Sequence, residues 1–268
     1  MHALAALAAA LVLPGFRLAA VGPEGGQLYA GRFPQTVRPG YVYLPPGFTT
    51  SARYPVVYLL HGLPGGPSEY VSGTSVVGFA DGAISEGRLR PFIAVIPAAG
   101  ATQRYDGEWA GRWARALVDG VVPWVDTYLP AVAEPQGRVI AGLSAGGFGA
   151  YDIALRHPGV FGAVESWSGY FAPLRDGPFK RASRATLAAN DPALLVASEA
   201  PALRAAGVRF LVSTGPPHSH WIPKDATQAF AAELRRLGLD PALRTYASAR
   251  GQWTEQIEAG LAWAFPQT

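Results

Sequence analysis

The sequence predicts an α/β protein whose mostly parallel central sheet is covered by helices on both faces. Three observations carry that expectation: continuous β-branched and aromatic runs bounded by turn residues, helical stretches alternating with them, and a Gly-x-Ser-x-Gly pentapeptide between one such run and a helix. With 268 residues, 49% of them hydrophobic, the chain can bury one large core, and a single domain is expected over residues 21–268.

Residues 1–20 come first. The apolar stretch from Leu4 to Phe16 is interrupted by Pro14 and Gly15 and is too short to span a bilayer comfortably. It resembles a signal-peptide core or the remnant of an anchor, although no Lys or Arg precedes it and Leu18-Ala19-Ala20 is a weak cleavage site. Export to the medium or cell envelope, with membrane association, is one expectation, and a cytoplasmic location the other.

Two short strands follow at Gln27–Ala30 and Tyr41–Leu44, separated by a Pro/Gly-containing turn. Tyr54–Leu60 is a continuous apolar run ending at His61-Gly62, as expected of a strand buried on both faces. Pro91–Pro97 and Gly137–Ala141 read the same way, with helical spacing from Arg112 to Tyr128 between them. A helix from Phe148 to Arg156 stops at His157-Pro158-Gly159, and Phe161–Trp167 is the next strand. The stretch from Phe171 to Leu203 has no strand signal and reads as an insertion able to roof a cleft. Val208–Thr214, a helix from about Asp225 to Leu237 ended by Gly238, a strand at Ala242–Ala247 and a helix through Trp263 complete the chain.

Composition removes several function classes. The formal charge of +3 comes from scattered arginines and forms no basic block, so a nucleic-acid partner is not expected. There is no cysteine, which excludes disulfides, thiolate metal sites and a cysteine nucleophile. His218-x-His220 could offer two imidazoles to zinc, but no third ligand stands at a recognisable spacing, so no metal is expected.

The chemistry concentrates at Gly142-Leu143-Ser144-Ala145-Gly146-Gly147. A serine hydroxyl is a weak nucleophile and needs a base, an orienting group and donors aimed at the oxyanion. Small residues at 142 and 146 allow a sharp strand-to-helix turn that lifts Ser144 from the sheet edge, while the helix directs its amino end at developing negative charge. His61-Gly62-Leu63-Pro64-Gly65-Gly66, after the central strand, would bring backbone close to a bound acyl group, so the amides of Leu63 and Ala145 together make an oxyanion hole. His61 itself fits a structural role in that turn better than the role of base. Trp109, in Tyr105-Asp106-Gly107-Glu108-Trp109, either helps wall the acyl or headgroup site or packs in the core, and Asp106 or Glu108 could meet a cationic group.

Tyr43-Leu44-Pro45-Pro46-Gly47-Phe48, Tyr54 through Gly62, Gly142 through Gly147, and Ala154-Leu155-Arg156-His157-Pro158-Gly159-Val160-Phe161 together resemble the esterase D and mycolyltransferase (antigen-complex) branch of the α/β-hydrolase superfamily. The likeness runs from about Gly25 to Phe265. It implies an α/β-hydrolase fold, a serine attacking an ester or acyl group, an acid on a loop after the sixth-to-seventh strands, a histidine base near the C-terminus, and no cofactor. The pattern departs at both ends of that relay. In Ala249-Arg250-Gly251-Gln252-Trp253, Gln252 takes the place of the family's histidine, and Ser213-Thr214-Gly215-Pro216-Pro217-His218 puts His218 near the place of its aspartate.

His218 and His220 are then the remaining candidate bases, with Asp225 as orienter, beyond a strand's carboxyl end. Alternatively His218-Ser219-His220-Trp221 lines a ligand pocket or packs on the surface, and Trp221 is a substrate-contact candidate on either view. The expected function is a serine-dependent carboxylic ester hydrolase or acyltransferase acting on small or lipid-like esters. Its rival is a catalytically silent hydrolase-fold protein that binds a lipid, glycan or protein. The sequence does not fix the oligomeric state.

Overall fold

The computed structural model describes residues 12–73, 76–102, 104, 108–215, 224–246 and 252–267. Nine strands form one sheet: β1 (Phe16–Val21), β2 (Gln27–Gly31), β3 (Gly40–Leu44), β4 (Val56–Leu60), β5 (Ile93–Ile96), β6 (Arg138–Leu143), β7 (Ala163–Trp167), β8 (Arg209–Thr214) and β9 (Ala242–Thr245). Their spatial order is β1-β2-β3-β5-β4-β6-β7-β8-β9. The first three strands and the β3–β5 pair are antiparallel, and every pairing from β5 through β4 to β9 is parallel. This is the mostly parallel sheet that the unbroken apolar runs require, because parallel strands are buried on both faces.

Alternation along the central strands sends side chains to two cores. Val56, Tyr58 and Leu60 join one with helices α3 (Val122–Tyr128), α4 (Ala145–Arg156), α6 (Pro192–Ala205) and α7 (Lys224–Arg236). Val57 and Leu59 join the other with α1 (Val76–Ser85) and α8 (Gln252–Ala264). The parallel half thus carries helices on both faces, as expected.

Three regions differ from the sequence reading. The boundary drawn at residue 20 falls inside β1, an edge strand paired with β2 whose Phe16 and preceding Leu13 are core residues. The single helix expected over 112–128 is α2 (Arg112–Arg115), a π-helical stretch (Ala116–Val121) and α3. Pro123 has no N–H to give to the helical ladder, so the register changes beside it. The insertion contains a 3₁₀ turn (Gly177–Phe179), α5 (Arg184–Ala188) and α6.

At the C-terminal end of the chain, α8 is seated on the sheet by close approach. A Cβ on Gly260 would lie 2.3 Å from Glu165 Oε2 and 2.4 Å from Trp167 Nε1. The Trp167 indole donates to Glu165 Oε2 at 3.0 Å, and burial pushes that carboxyl up to about 8.

Candidate active site

Ser144 stands between β6 and α4 with φ 54° and ψ −116°, a conformation that L-residues seldom adopt and that local packing must enforce. The enforcement is visible on both sides. A Cβ on Gly142 would sit 2.3 Å from the carbonyl carbon and oxygen of Gly146, and one on Gly146 would sit 1.8 Å from Leu60 O. Only glycine permits these approaches, and together they fold the chain back sharply enough to present a partly exposed serine above a buried strand. Ser144 N donates to Trp167 O at 2.9 Å, and Ser144 O accepts from Gly147 N and Phe148 N at 2.9 and 3.1 Å. The backbone of this residue is thus fully engaged.

Ala145 opens α4, so its N–H has no acceptor within the helix and adds to the positive end of the helix dipole. The loop after β4 comes in from the other side. A Cβ on Gly62 would meet Ser144 Cβ at 3.4 Å, which places Gly62 against the serine. Leu63 and Ala145 also share a small apolar cluster with Ala110, Phe148, Tyr170 and Phe179. The loop after β4 and the amino end of α4 therefore both border Ser144.

His61 lies inside the protein as the internal prop of that loop. It is fully buried; Nδ1 lies 2.8 Å from Gly62 O and Nε2 3.1 Å from the backbone N–H of Ala99. An imidazole that donates from Nδ1 and accepts at Nε2 is neutral and has no nitrogen left for a serine proton. Desolvation holds it down at about 4. His61 thus takes the structural role in the turn that the sequence favours, shaping the loop from within, away from any substrate.

For Trp109 the core alternative holds. Its indole is 1% exposed, donates to His61 O at 3.0 Å and meets the His61 ring edge-to-face with centroids 5.2 Å apart. It buttresses the loop after β4 from behind. Glu108, offered as a partner for a cationic group, is also buried, and its Oε1 accepts from Tyr170 Oη at 2.6 Å.

Tyr70, which the sequence reading missed, ties the two halves of this arrangement together. Its hydroxyl donates to Leu60 O at 2.7 Å and accepts from Leu143 N at 3.1 Å, linking the ends of β4 and β6 immediately before His61 and Ser144.

On the far side of the elbow, beyond β7, stands another group that the sequence reading missed. Ser213 Oγ donates to Gln256 Oε1 at 2.6 Å, Gln256 Nε2 donates to Ser168 Oγ at 2.8 Å, and Gly215 N donates to Ser168 Oγ at 3.3 Å. All three side chains are buried and uncharged, so this network can hold backbone in place but cannot take up a proton near neutral pH.

His218, His220 and Trp221 lie outside the described residues, as do Tyr105 and Asp106. Asp225 is exposed in the first turn of α7. Among the described residues no group of three or more His, Cys, Asp or Glu side chains could hold a metal, and no helix is long and apolar enough to cross a membrane.

Beside the elbow, Tyr170, Phe171, Ala172, Leu174, Ala193 and Phe230 line much of an apolar groove of about 470 Å³ between the insertion and α7. A larger concavity of about 630 Å³, lined by Arg204, Arg209 and Trp263 among others, opens at the amino ends of β8 and β9, the edge away from Ser144.

Comparison with known proteins agrees with this architecture. A family model described as "Putative esterase" matches residues 34–258. The chain is 33% identical over 141 residues to Esterase Rv1288 of Mycobacterium tuberculosis (strain H37Rv), a match covering 50% of this chain and 30% of that protein. It is 33% identical over 132 residues to an endo-1,4-beta-xylanase/feruloyl esterase of Xylanibacter ruminicola, covering 45% of this chain and 18% of that protein. Among solved structures, a ferulic acid esterase superposes with a TM-score of 0.72 at 21% identity, covering 93% of this chain and 95% of its own. The S-formylglutathione hydrolase FrmB of Staphylococcus aureus superposes with a TM-score of 0.67 at 18% identity, covering 88% and 97%. At those identities the superpositions establish the α/β-hydrolase fold, whereas the family model spans most of the sequence, and by that match the chain belongs to the esterase family.

Proposed function

We propose that this protein is a serine-dependent carboxylic ester hydrolase, with Ser144 as nucleophile and the Leu63 and Ala145 amides as oxyanion donors. The observation that carries the reading is the enforced backbone of Ser144, which holds one hydroxyl between a helix amino end and a glycine-lined loop. In the reaction, Ser144 Oγ attacks the ester carbonyl carbon while a base takes its proton. The carbonyl oxygen gains negative charge beside the two amides, collapse releases the alcohol, and water then cleaves the acyl-serine. His218 or His220 is the proposed base, with Asp225 as orienter. The apolar groove beside Tyr170 favours an apolar acyl part, consistent with small or lipid-like esters.

Ser144→Ala tests this reading. Turnover of short p-nitrophenyl esters should fall by at least about 10³-fold while the melting temperature stays within a few degrees. Unchanged turnover would remove the serine from the mechanism.

A second reading, a hydrolase-fold binder without catalysis, is favoured by one feature: Gln252 stands where the resemblance puts the family's histidine. Wild-type protein inert toward every ester, with turnover appearing in Gln252→His, would favour it.

A further inference from the structure

Glu108 and Asp176 are two acids that the reaction above does not use, and they come from segments far apart in the chain. Glu108 precedes the Trp109 buttress; Asp176 lies in the insertion immediately before the 3₁₀ turn Gly177–Phe179. Glu108 is 1% exposed, with Oε1 occupied by the Tyr170 hydroxyl. Its Oε2 and Asp176 Oδ1 are both buried, and neither has a hydrogen-bond partner with a fixed donor. The two carboxyl groups lie within hydrogen-bonding reach of each other. Two buried carboxylate oxygens cannot face one another unpaired; a single proton between them turns repulsion into a hydrogen bond.

What this contact would hold in place borders the nucleophile. Tyr170 stacks on Phe148 with centroids 5.1 Å apart, Phe179 meets Phe148 edge-to-face at 6.0 Å, and both belong to the cluster containing Ala145 and Leu63. Leu174, Ala182 and Leu187 of the insertion pack on the same cluster. Among the described residues, the insertion's packing on this cluster is apolar.

We propose that Glu108 keeps its proton and donates it in a hydrogen bond to Asp176, so that the two act as positioning residues, pinning the insertion over the apolar wall beside Ser144 and thereby setting substrate affinity. Loss of that proton leaves two negative charges in contact and loosens the insertion. The other groups bearing on the pair are few. Tyr170 donates to Glu108 from the segment after β7, and Asp152 approaches from α4 with its own charge met by Arg156 at 2.8 and 3.0 Å. Burial first, then Asp176 and Asp152, push Glu108 up to about 8 even against the Tyr170 hydrogen bond. The change therefore falls in the mildly alkaline range.

The test compares wild type with Glu108→Gln and Asp176→Asn. A glutamine amide can donate to Asp176 while its oxygen accepts from Tyr170, reproducing the protonated pair without a titrating proton. Thermal melts across pH come first, because they need no substrate. A carboxyl raised in the fold binds more protons than in the unfolded chain between about 4.5 and 8, so wild-type stability should fall through that window relative to Glu108→Gln and level off above it. A wild-type-to-variant gap that stays constant with pH, for both variants, would overturn the proposal.

The kinetic arm rests on the esterase reading. Wild-type KM for p-nitrophenyl butyrate should rise above pH 8, approaching tenfold per pH unit, with kcat moving less, whereas KM of both variants stays flat. Parallel KM profiles in wild type and variants would also overturn it. Absence of all ester turnover would count against the esterase reading alone, and the melts would still judge the acid pair.

Discussion

The two flanks of the Ser144 elbow are built on different principles. On the oxyanion flank, His61, Trp109 and Tyr70 are buried and hydrogen-bonded to backbone at the ends of β4 and β6 or in the loop after β5. Each side chain has one geometry available, and the loop inherits it. On the flank beyond β7, Ser168, Ser213 and Gln256 exchange hydrogen bonds mainly among themselves, through hydroxyls and an amide able both to donate and to accept. The contrast teaches that the half of the site that would bind the oxyanion is preorganised by groups locked to the main chain, whereas its neighbour is held by a neutral network with interchangeable partners.

Several substitutions break or sharpen this contrast. The largest effect is expected for His61→Ala, which strands the Ala99 N–H and empties the space behind the loop. It should cost about 3–4 kcal/mol in chemical denaturation and lower kcat/KM well beyond tenfold. Its pH dependence follows from the depressed value of the ring. Because the unfolded chain binds a proton between about 6.5 and 4 that the folded one refuses, wild-type stability is complete above 6.5 and erodes as pH falls toward 4. The gap between wild type and His61→Ala should therefore narrow across that acid window; a gap independent of pH would show that the ring carries no such penalty.

Tyr70→Phe comes next. It removes the acceptor of Leu143 N–H and the donor to Leu60 O without changing side-chain shape, and should cost about 2 kcal/mol in the same assay. Because this tie lies one residue before both His61 and Ser144, kcat should fall more than KM rises. The smallest effect is expected for Gln256→Leu, about 1 kcal/mol, since Ser168 and Ser213 keep other backbone partners: Gly215 N donates to the first and Ser166 O accepts from the second. A Gln256→Leu cost equal to that of His61→Ala would erase the distinction between the flanks.

The Ser144 elbow and the His61 turn were legible in the sequence because their constraints are local and specific to residue type, whereas Tyr70, which ties them, was not. Gly142 and Gly146 bracket Ser144 within five residues, and His61-Gly62 follows directly on an apolar strand. The other flank was not legible: Ser213 and Gln256 are 43 residues apart and Ser168 and Gln256 are 88 apart, and neither serine nor glutamine at such distances leaves a pattern. Glu108 and Asp176 escaped notice as a pair for the same reason. At the fold level the parallel strands declared themselves by unbroken apolar runs, but β1 did not. Only Phe16 of its six residues is buried, so no alternation marks the strand. α1 carries Gly78 and Gly82, which weaken helix propensity over just the stretch where packing against α8 supplies the missing stability. Sequence left Trp109 between cleft wall and core because an indole's burial behind a loop depends on tertiary contacts, here with His61 and Gly149, that no local spacing encodes.

The central claim is that the fold delivers an activated serine at position 144, and labelling with a fluorophosphonate probe tests it most directly, because only an activated hydroxyl reacts at low probe concentration. The account predicts rapid covalent labelling of the wild-type protein, mass-spectrometric assignment of the adduct to the peptide carrying Ser144, and no labelling of Ser144→Ala. Folded wild-type protein that stays unlabelled at high probe concentration, or an adduct that persists in Ser144→Ala, would contradict it.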